Sequence, residues 1–187
     1  MATCGPLASG FSPAPRYNAV VSLFESLFGS LNDTGVRYVV VGGVATVLHG
    51  YARFTADVDL IIDLEPACAR ILVAALVQLG FVPRAPVDAL DFADSATRQR
   101  WIDEKGMQVF SMVDRHNPMR VVDLFVDHPI DFEGLWTRAR TIALETTSVR
   151  VASIPDLIQL KRLAGRPQDL QDIEELERLR QRSEDDD

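Results

Sequence analysis

Two acidic residues, Asp57 and Asp59, stand at a spacing that suits metal chemistry. They alternate with apolar residues in the run Asp57-Val58-Asp59-Leu60-Ile61-Ile62, which is typical of a β-strand. Because alternate side chains of a strand share a face, both carboxylates are predicted to lie together, opposite an apolar face. Neighbouring carboxylates repel each other, and a divalent cation such as magnesium would relieve that repulsion. Taken alone, the pair is more typical of a solvated strand face.

A third acid, Asp123, lies in a later run with the same alternation, Arg120-Val121-Val122-Asp123-Leu124-Phe125-Val126. Its side chain is predicted to point away from the apolar face of that strand. If the two strands are neighbours, Asp123 joins Asp57 and Asp59 on one side of a sheet. Three converging carboxylates can hold two metal ions for phosphoryl transfer. We therefore take Asp57, Asp59 and Asp123 as candidate catalytic and metal-binding residues.

A diglycine, Gly42-Gly43, stands upstream of the acids, where a predicted buried strand from Tyr38 to Val41 is followed by a short helix. Glycine lets a ligand approach the backbone closely, and the start of a helix attracts phosphate. On its own the pattern is more typical of a tight turn. Together with the three acids, it indicates a site for the phosphates of a nucleotide.

Helices flank several strands along the rest of the chain, which is typical of a mixed α and β protein. Pro66 is predicted to open one helix, and Ser153 is predicted to cap another. The pattern is weakest between 82 and 106. Helices are predicted over 17–31, 66–80, 95–104, 154–164 and about 168–180, and further strands over 107–113, 120–127, 141–145 and 148–151.

The composition is that of an ordinary globular protein and excludes several classes. The chain has 187 residues, 47% of them apolar, and a net charge of −8, so a general nucleic-acid binder is not expected. The longest apolar run, 71–82, is too short to span a membrane, and the start of the chain lacks the features of a secretory signal. Two cysteines cannot make a disulfide framework. A cytoplasmic location is predicted.

The combined pattern resembles a known family. Gly42-Gly43-Val44-Ala45, His49-Gly50, Arg53, Thr55, Asp57 and Asp59, followed by Asp123, are similar to the nucleotidyltransferase fold shared with DNA polymerase β, and to its bacterial AbiEii-type and related small members. The stretch from Ser153 through Leu160-Lys161, Arg166, Asp169 and Asp172 also fits those proteins. The resemblance covers about residues 36–178 and rests on the combination of motifs.

The resemblance implies an α/β (α+β) fold, a mixed β-sheet with helices packed on one face and a helical C-terminal appendage. The predicted organisation is a loose leader over 1–15, a nucleotidyltransferase-like domain over 16–152, the appendage over 153–182 and an acidic tail over 183–187.

The implied activity is transfer of a nucleoside monophosphate from a nucleoside triphosphate, with ATP as one candidate, to an acceptor hydroxyl with release of pyrophosphate. Two Mg²⁺ ions are expected, with Mn²⁺ as an alternative. Asp57 and Asp59 would hold the ions, while Asp123 would complete the metal site and take the proton from the hydroxyl. The backbone at Gly42 and Gly43 would hold the triphosphate.

Arg53 and Thr55 precede the acid pair and are candidate nucleotide-binding residues. The guanidinium of Arg53 is suited to phosphate, and it could equally form a structural ion pair with Asp57 or Asp63.

Lys161 is a further candidate nucleotide-binding residue, since the resemblance suggests that it reaches the triphosphate, although a solvated helix lysine is an equal alternative. Asp169 and Asp172 share a helical face and are expected to anchor Lys161 or Arg166. His49 is expected to form a hydrogen bond at a helix end.

The acceptor stays open between the 3′ end of a transfer RNA, a protein side chain and a small hydroxylated compound. A toxin role would bring an antitoxin or another protein partner, and no membrane association is expected. The alternative class is a non-catalytic nucleotide-binding or partner-binding module on the same fold. The complete acidic trio argues against that class, because a module without turnover has no need of all three carboxylates.

Overall fold

The computed structural model describes residues 21–51 and 53–185. The predicted leader, 1–15, and the first residues of the helix predicted over 17–31 lie outside the described residues. The α-helices of the described residues are α1 (Glu25–Asp33), α2 (Gly42–Leu48), α3 (Pro66–Gln78), α4 (Ser95–Lys105), α5 (Phe132–Arg138), α6 (Ile154–Ala164) and α7 (Pro167–Asp185). The strands are β1 (Tyr38–Val41), β2 (Asp57–Ile62), β3 (Phe81–Pro83), β4 (Val109–Asp114), β5 (Val121–Phe125), β6 (Arg140–Ala143) and β7 (Ser148–Val151).

The seven strands form one mixed sheet in the order β3-β4-β5-β2-β1-β7-β6. At its centre, β2 pairs antiparallel with β1, and Val41 lies opposite Asp59. On its other side β2 pairs parallel with β5, and Asp59 lies opposite Asp123. β5 then pairs antiparallel with β4, which places Ser111 opposite Asp123. The sheet therefore aligns one acid of β2 with the acid of β5.

One face of the sheet forms the apolar core. Val58, Leu60 and Ile62 of β2 are fully buried there, next to Val122 and Leu124 of β5. Helix α3 contributes further buried side chains to the core, namely Ala69, Leu72, Val73 and Leu76. Continuous burial of these apolar side chains is the main source of the free energy that holds the sheet against its helices.

The opposite face of the sheet is divided. Val39 and Ile61 are fully buried, whereas Asp57, Asp59 and Asp123 are half-buried. The alternation predicted from the sequence is therefore present in both acidic strands, with apolar residues on the core face and acids on the other.

Two helix starts follow the predicted signals. Pro66 opens α3, where the Glu65 carboxylate accepts hydrogen bonds from the backbone N–H groups of Ala67 and Cys68. The Ser153 hydroxyl caps α6 by accepting a hydrogen bond from the backbone N–H of Asp156. Both predicted starts are confirmed, because each side chain satisfies N–H groups that the first turn of a helix leaves free.

Element ends and short elements differ from the prediction. Strand β3 and a 3₁₀ helix at Ala89–Ala93 lie in the stretch with the weakest pattern and were not predicted. Helix α7 continues to Asp185, beyond the predicted end near residue 180 and into the predicted acidic tail, whose last two residues lie outside the described ones. Within the described ranges, no helix is long and apolar enough to cross a membrane.

Candidate active site

The three predicted acids lie on one face of two adjacent strands. Asp59 and Asp123 are Cα partners in the parallel pair of β2 and β5. Adjacent strands are about 4.8 Å apart, and Asp57 precedes Asp59 by two residues on the same face. The structure therefore brings Asp57, Asp59 and Asp123 together at one wall of a pocket.

The diglycine turn lies directly against this wall. Gly42 has a φ of +64°, a left-handed conformation that favours glycine, and a Cβ there would lie 2.6 Å from Asp59 Cγ. A Cβ on Gly43 would lie 2.9 Å from the Cβ of Thr55. Both positions therefore require glycine for the close approach of the turn to β2. The backbone N–H of Gly43 donates a hydrogen bond to the Asp59 carboxylate, so the turn already binds an anionic oxygen.

The electrostatic environment of Asp59 is unfavourable for its charged form. Burial raises the pKa of Asp59 to about 7, and the charges of Asp57 and Asp123 add to the shift. Arg166 and the Gly43 N–H oppose it, but they do not cancel it. Asp59 is therefore a carboxylate held close to others with too little positive charge nearby.

Asp123 shows the same imbalance. Burial raises its pKa and the charge of Asp57 adds to the shift, while a hydrogen bond from Ser111 and the charges of Arg84 and Arg166 lower it. Its Oδ1 atom is buried and has no hydrogen-bond partner. A buried oxygen without a partner is costly, and a bound cation or a substrate hydroxyl would satisfy it.

These residues fit a magnesium ion in donor chemistry. Carboxylate oxygens are the ligands that Mg²⁺ prefers, and a cation would relieve the repulsion that raises the two pKa values. In the part of the chain that the structure describes, no three Asp, Glu, His or Cys side chains converge as a ready-made metal cage. The Asp59 carboxylate is instead turned onto the glycine turn.

An ion network joins the loop before β2 to the C-terminal helices. The Asp172 carboxylate in α7 pairs with both Arg53 and Lys161 of α6, the latter at 2.5 Å. The exposed fractions of the three side chains are 5%, 20% and 7%, respectively, so Asp172 and Lys161 are buried and Arg53 is half-buried. Two alternatives are therefore wrong, since Lys161 is not a solvated lysine and Arg53 does not pair with Asp57 or Asp63. Asp63 instead forms an ion pair with Arg37.

Asp169 extends this network along α7, as the helical spacing predicted. Its carboxylate lies 3.6 Å from Lys161 Nζ and accepts a hydrogen bond from the backbone N–H of Arg166. The Arg166 side chain is 65% exposed and lies near enough to lower the pKa of Asp59 and Asp123. Sequence reasoning assigned Arg166 only to an ion pair and missed it as a cation facing the acids. The turn Gly165-Arg166-Pro167 between two helices was the available signal.

Two further residues have supporting contacts. The Thr55 hydroxyl donates a hydrogen bond to Asp57 Oδ1 at 3.2 Å, and Thr55 is buried beneath the glycine turn. His49 lies at the end of α2, where its Nε2 is 2.7 Å from the carbonyl oxygen of Ala152, and burial lowers its pKa. The predicted helix-end role of His49 is confirmed.

The pocket above the acidic face has a volume of about 500 Å³. Its walls are the sheet, the glycine turn and the C-terminal helices. All eight candidate residues line it: Gly42, Gly43, Arg53, Thr55, Asp57, Asp59, Asp123 and Lys161. Sequence spacing alone could not have placed Lys161 opposite the acids, because that depends on how α6 packs.

A mixed sheet with paired acids beside a glycine turn and C-terminal helices across the pocket defines a nucleotidyltransferase-like fold. The chain belongs to the family described as nucleotidyltransferase of unknown function (DUF6036), whose model matches residues 18–183. No curated protein matches the chain in sequence. The family model confirms the nucleotidyltransferase assignment and does not extend to the AbiEii type.

Solved structures share the fold at low sequence identity. The antibiotic-resistance factor ANT(2'')-Ia matches with a TM-score of 0.54 and 14% identity over 90% of this chain and 92% of its own. The lincosamide antibiotic adenylyltransferase LnuA, solved with lincomycin bound, matches with a TM-score of 0.51 and 13% identity over 89% of this chain and 97% of its own. A Thermotoga maritima protein described as a putative nucleotidyltransferase matches with a TM-score of 0.52 and 14% identity over 93% of this chain and 96% of its own. The predicted fold class is confirmed.

Proposed function

We propose that the chain transfers a nucleoside monophosphate from a nucleoside triphosphate to an acceptor hydroxyl and releases pyrophosphate. The observation that carries the proposal is the alignment of Asp57, Asp59 and Asp123 on adjacent strands, beside a turn that must be glycine. Mg²⁺ held by these acids would supply charge neutralisation at the reacting phosphate. Family membership supports the same reaction class.

The phosphates are expected to lie between the glycine turn and the cations. The Gly43 N–H binds a carboxylate oxygen of Asp59 in the present arrangement, and a phosphate oxygen has the same charge and acceptor chemistry. Lys161, Arg53 and Arg166 line the same pocket. Together they would offset the negative charge of a triphosphate in a site whose own acids repel it.

Asp123 is expected to receive the proton of the acceptor hydroxyl. Its raised pKa makes it a better base than an ordinary carboxylate, and its Oδ1 has no competing hydrogen bond. The Ser111 hydroxyl, which donates to the same carboxylate, would hold it in place. Proton removal and attack on the α-phosphorus then occur at one wall of the pocket.

The proposal includes four more detailed points that still need a test. They are a preference for ATP, the use of Mn²⁺, an AbiEii-type identity and a toxin–antitoxin role. LnuA is an adenylyltransferase of the same fold, which supports ATP as the first triphosphate to examine. The three classes of acceptor, transfer RNA, protein and small molecule, are all compatible with the reaction.

The test incubates the purified chain with Mg²⁺, each of four α-labelled nucleoside triphosphates and candidate acceptors, and measures pyrophosphate release and label transfer. We expect transfer that falls at least about 1,000-fold in Asp59→Ala, because an essential charged group is lost. The matched control is Asp127→Ala, an exposed acid at the same pocket that should keep activity within about twofold. Nucleotide binding without transfer to any acceptor would favour the non-catalytic module.

A further inference from the structure

The acids divide the pocket into two chemically different ends. The row Asp59, Asp123 and Ser111 runs across three strands, and the next row of the same face holds Phe125 opposite Val109. Two residues of a strand span about 6.6 Å, so this apolar row begins one step from the carboxylates. The glycine turn lies toward the start of β2, on the other side of the acidic row.

The end beyond the acids is apolar, and we name it the apolar end: Ile102, Met107, Val109, Phe125 and Pro129, which all line the pocket. Strands β4 and β5 are antiparallel, so the start of β4 lies beside the end of β5. Met107, which precedes β4, and Pro129, which follows β5, are therefore at the same edge of the sheet. Ile102 joins them through the turn that ends α4, where its carbonyl accepts a hydrogen bond from the Gly106 N–H at 2.9 Å. Four of these residues are half-buried and Pro129 is exposed, so they do not close over each other.

Charge is distributed unevenly between the two ends. The cations among the pocket-lining residues, Arg53, Lys161 and Arg166, belong to the network of Asp169 and Asp172 beside the C-terminal helices. Among the described residues that line the apolar end, none is a cation, and Asp127 at its rim is exposed.

We infer that the apolar end binds the acceptor, and that the acceptor is an uncharged, largely apolar molecule that carries a hydroxyl group. This inference rests on the proposed function. The triphosphate takes the end with the cations, so the acceptor approaches Asp123 from the other end. An RNA acceptor needs cations for its phosphates, and a polyamine needs several carboxylates, whereas the apolar end supplies neither. Burial of an apolar body on Phe125 and Val109 supplies the binding energy.

The reaction balances without a further reactant. The hydroxyl oxygen of the acceptor forms a bond to the α-phosphorus, and the bond from that phosphorus to the bridging oxygen of pyrophosphate breaks. The hydroxyl proton goes to Asp123, which lies one row from Phe125 and Val109 of the apolar end.

The test measures binding before it measures transfer. The probe is 4-phenylbutan-1-ol, titrated into the full chain without nucleotide or metal and followed by heteronuclear NMR. We expect shifts confined to the apolar end, and an affinity at least tenfold weaker in Val109→Lys. Val113→Lys is the matched control, since Val113 lies on the same face of the same strand but does not line the pocket, and it should stay within twofold. Met107→Lys, outside any strand, repeats the test without altering the sheet.

Transfer is then compared for three acceptors, the same alcohol, a polyamino sugar and a short RNA with a free 3′ hydroxyl, using labelled ATP and Mg²⁺. Label on the alcohol supports the inference. Absence of probe binding, equal effects of the two valine variants, or label on the sugar or RNA instead would overturn it. Weaker ATP affinity in Val109→Lys would also overturn it, because the nucleobase would then occupy this end. Probe binding that Val109→Lys weakens, with no transfer to any acceptor, supports the apolar site while counting against the proposed function.

Discussion

On the sheet face, Asp59 lies near two further carboxylates and its pKa rises to about 7, whereas in the C-terminal helices Asp169 and Asp172 each contact a cation. Both regions line the same pocket, and their acids are half-buried on the sheet face and buried in the helices. The first is short of positive charge, and the second is balanced by Lys161 and Arg53. We therefore expect a ligand cation to complete the sheet face, and we expect the helix network to hold the pocket walls in place.

The largest effect is expected from Asp172→Asn. The substitution removes the shared partner of the buried Lys161 and the half-buried Arg53 and leaves both cations under-compensated, so the free energy of unfolding should fall by at least about 3 kcal/mol. The KM for the nucleoside triphosphate should rise more than kcat falls, because both cations lose their position.

Glu177→Gln is the matched control for Asp172→Asn. Glu177 pairs with Arg162 at 3.0 Å between the same two helices, but on their exposed side. We expect a change under about 0.5 kcal/mol and an unaltered KM. Urea unfolding and initial-rate kinetics measure both variants, and equal effects of the two would remove the distinction between the buried network and an ordinary surface ion pair.

On the sheet face, Asp59→Asn is expected to raise the free energy of unfolding, in contrast to Asp172→Asn. The folded pKa of Asp59, about 7, exceeds its unfolded value of 3.8, so folding favours the protonated form. Its contribution to stability is therefore lost as pH rises from about 4 through 7. In metal-free buffer, Asp59→Asn should be more stable than the parent at pH 8, by no more than about 4 kcal/mol, the equivalent of a shift of about three pKa units, and nearly equal to it at pH 4.

Thermal unfolding across this pH range, with and without Mg²⁺, checks the sign. Mg²⁺ should stabilise the parent chain at pH 8 and have a smaller effect on Asp59→Asn. An Asp59→Asn variant that is no more stable than the parent at pH 8 would contradict the idea that the acids repel each other.

A smaller effect is expected from Gly42→Ala. Alanine at this position must adopt a left-handed backbone conformation, and its Cβ would collide with the Asp59 carboxylate. We expect a cost of about 1–2 kcal/mol in the free energy of unfolding. Nucleotide affinity should fall as well, since the turn moves away from the acids. Gly29→Ala is the control, because Gly29 lies inside α1 with open space around it, and alanine there should stabilise the helix by about 0.5–1 kcal/mol. Loss of stability in both variants would show that the space at Gly42 is not the cause.

The strong local signals of the sequence predicted much of the fold. Strand β1 has the predicted bounds, Tyr38–Val41, because an apolar run ends at a diglycine, and α6 begins after a Ser cap. Strand β3 was missed because three residues with a proline give no measurable alternation.

The candidate site divides in the same way. Alternation predicted the shared face of Asp57, Asp59 and Asp123, because strand geometry fixes which side chains face together. The partner of Arg53 could not be predicted, since Asp172 is 119 residues away and reaches it only through the packing of α7. Their catalytic and metal-binding roles stay predictions, which the variants above address.

The parallel pairing of β2 with β5 has a consequence for how the chain acquires its structure. The two strands are separated by α3, β3, α4 and β4, so their alignment closes a long loop, and such non-local contacts form slowly. The carboxylates therefore meet only when the centre of the sheet has assembled. In a partly refolded chain, the carboxylates of β2 and β5 are not yet adjacent. Recovery of ligand binding should therefore coincide with the last cooperative step of refolding.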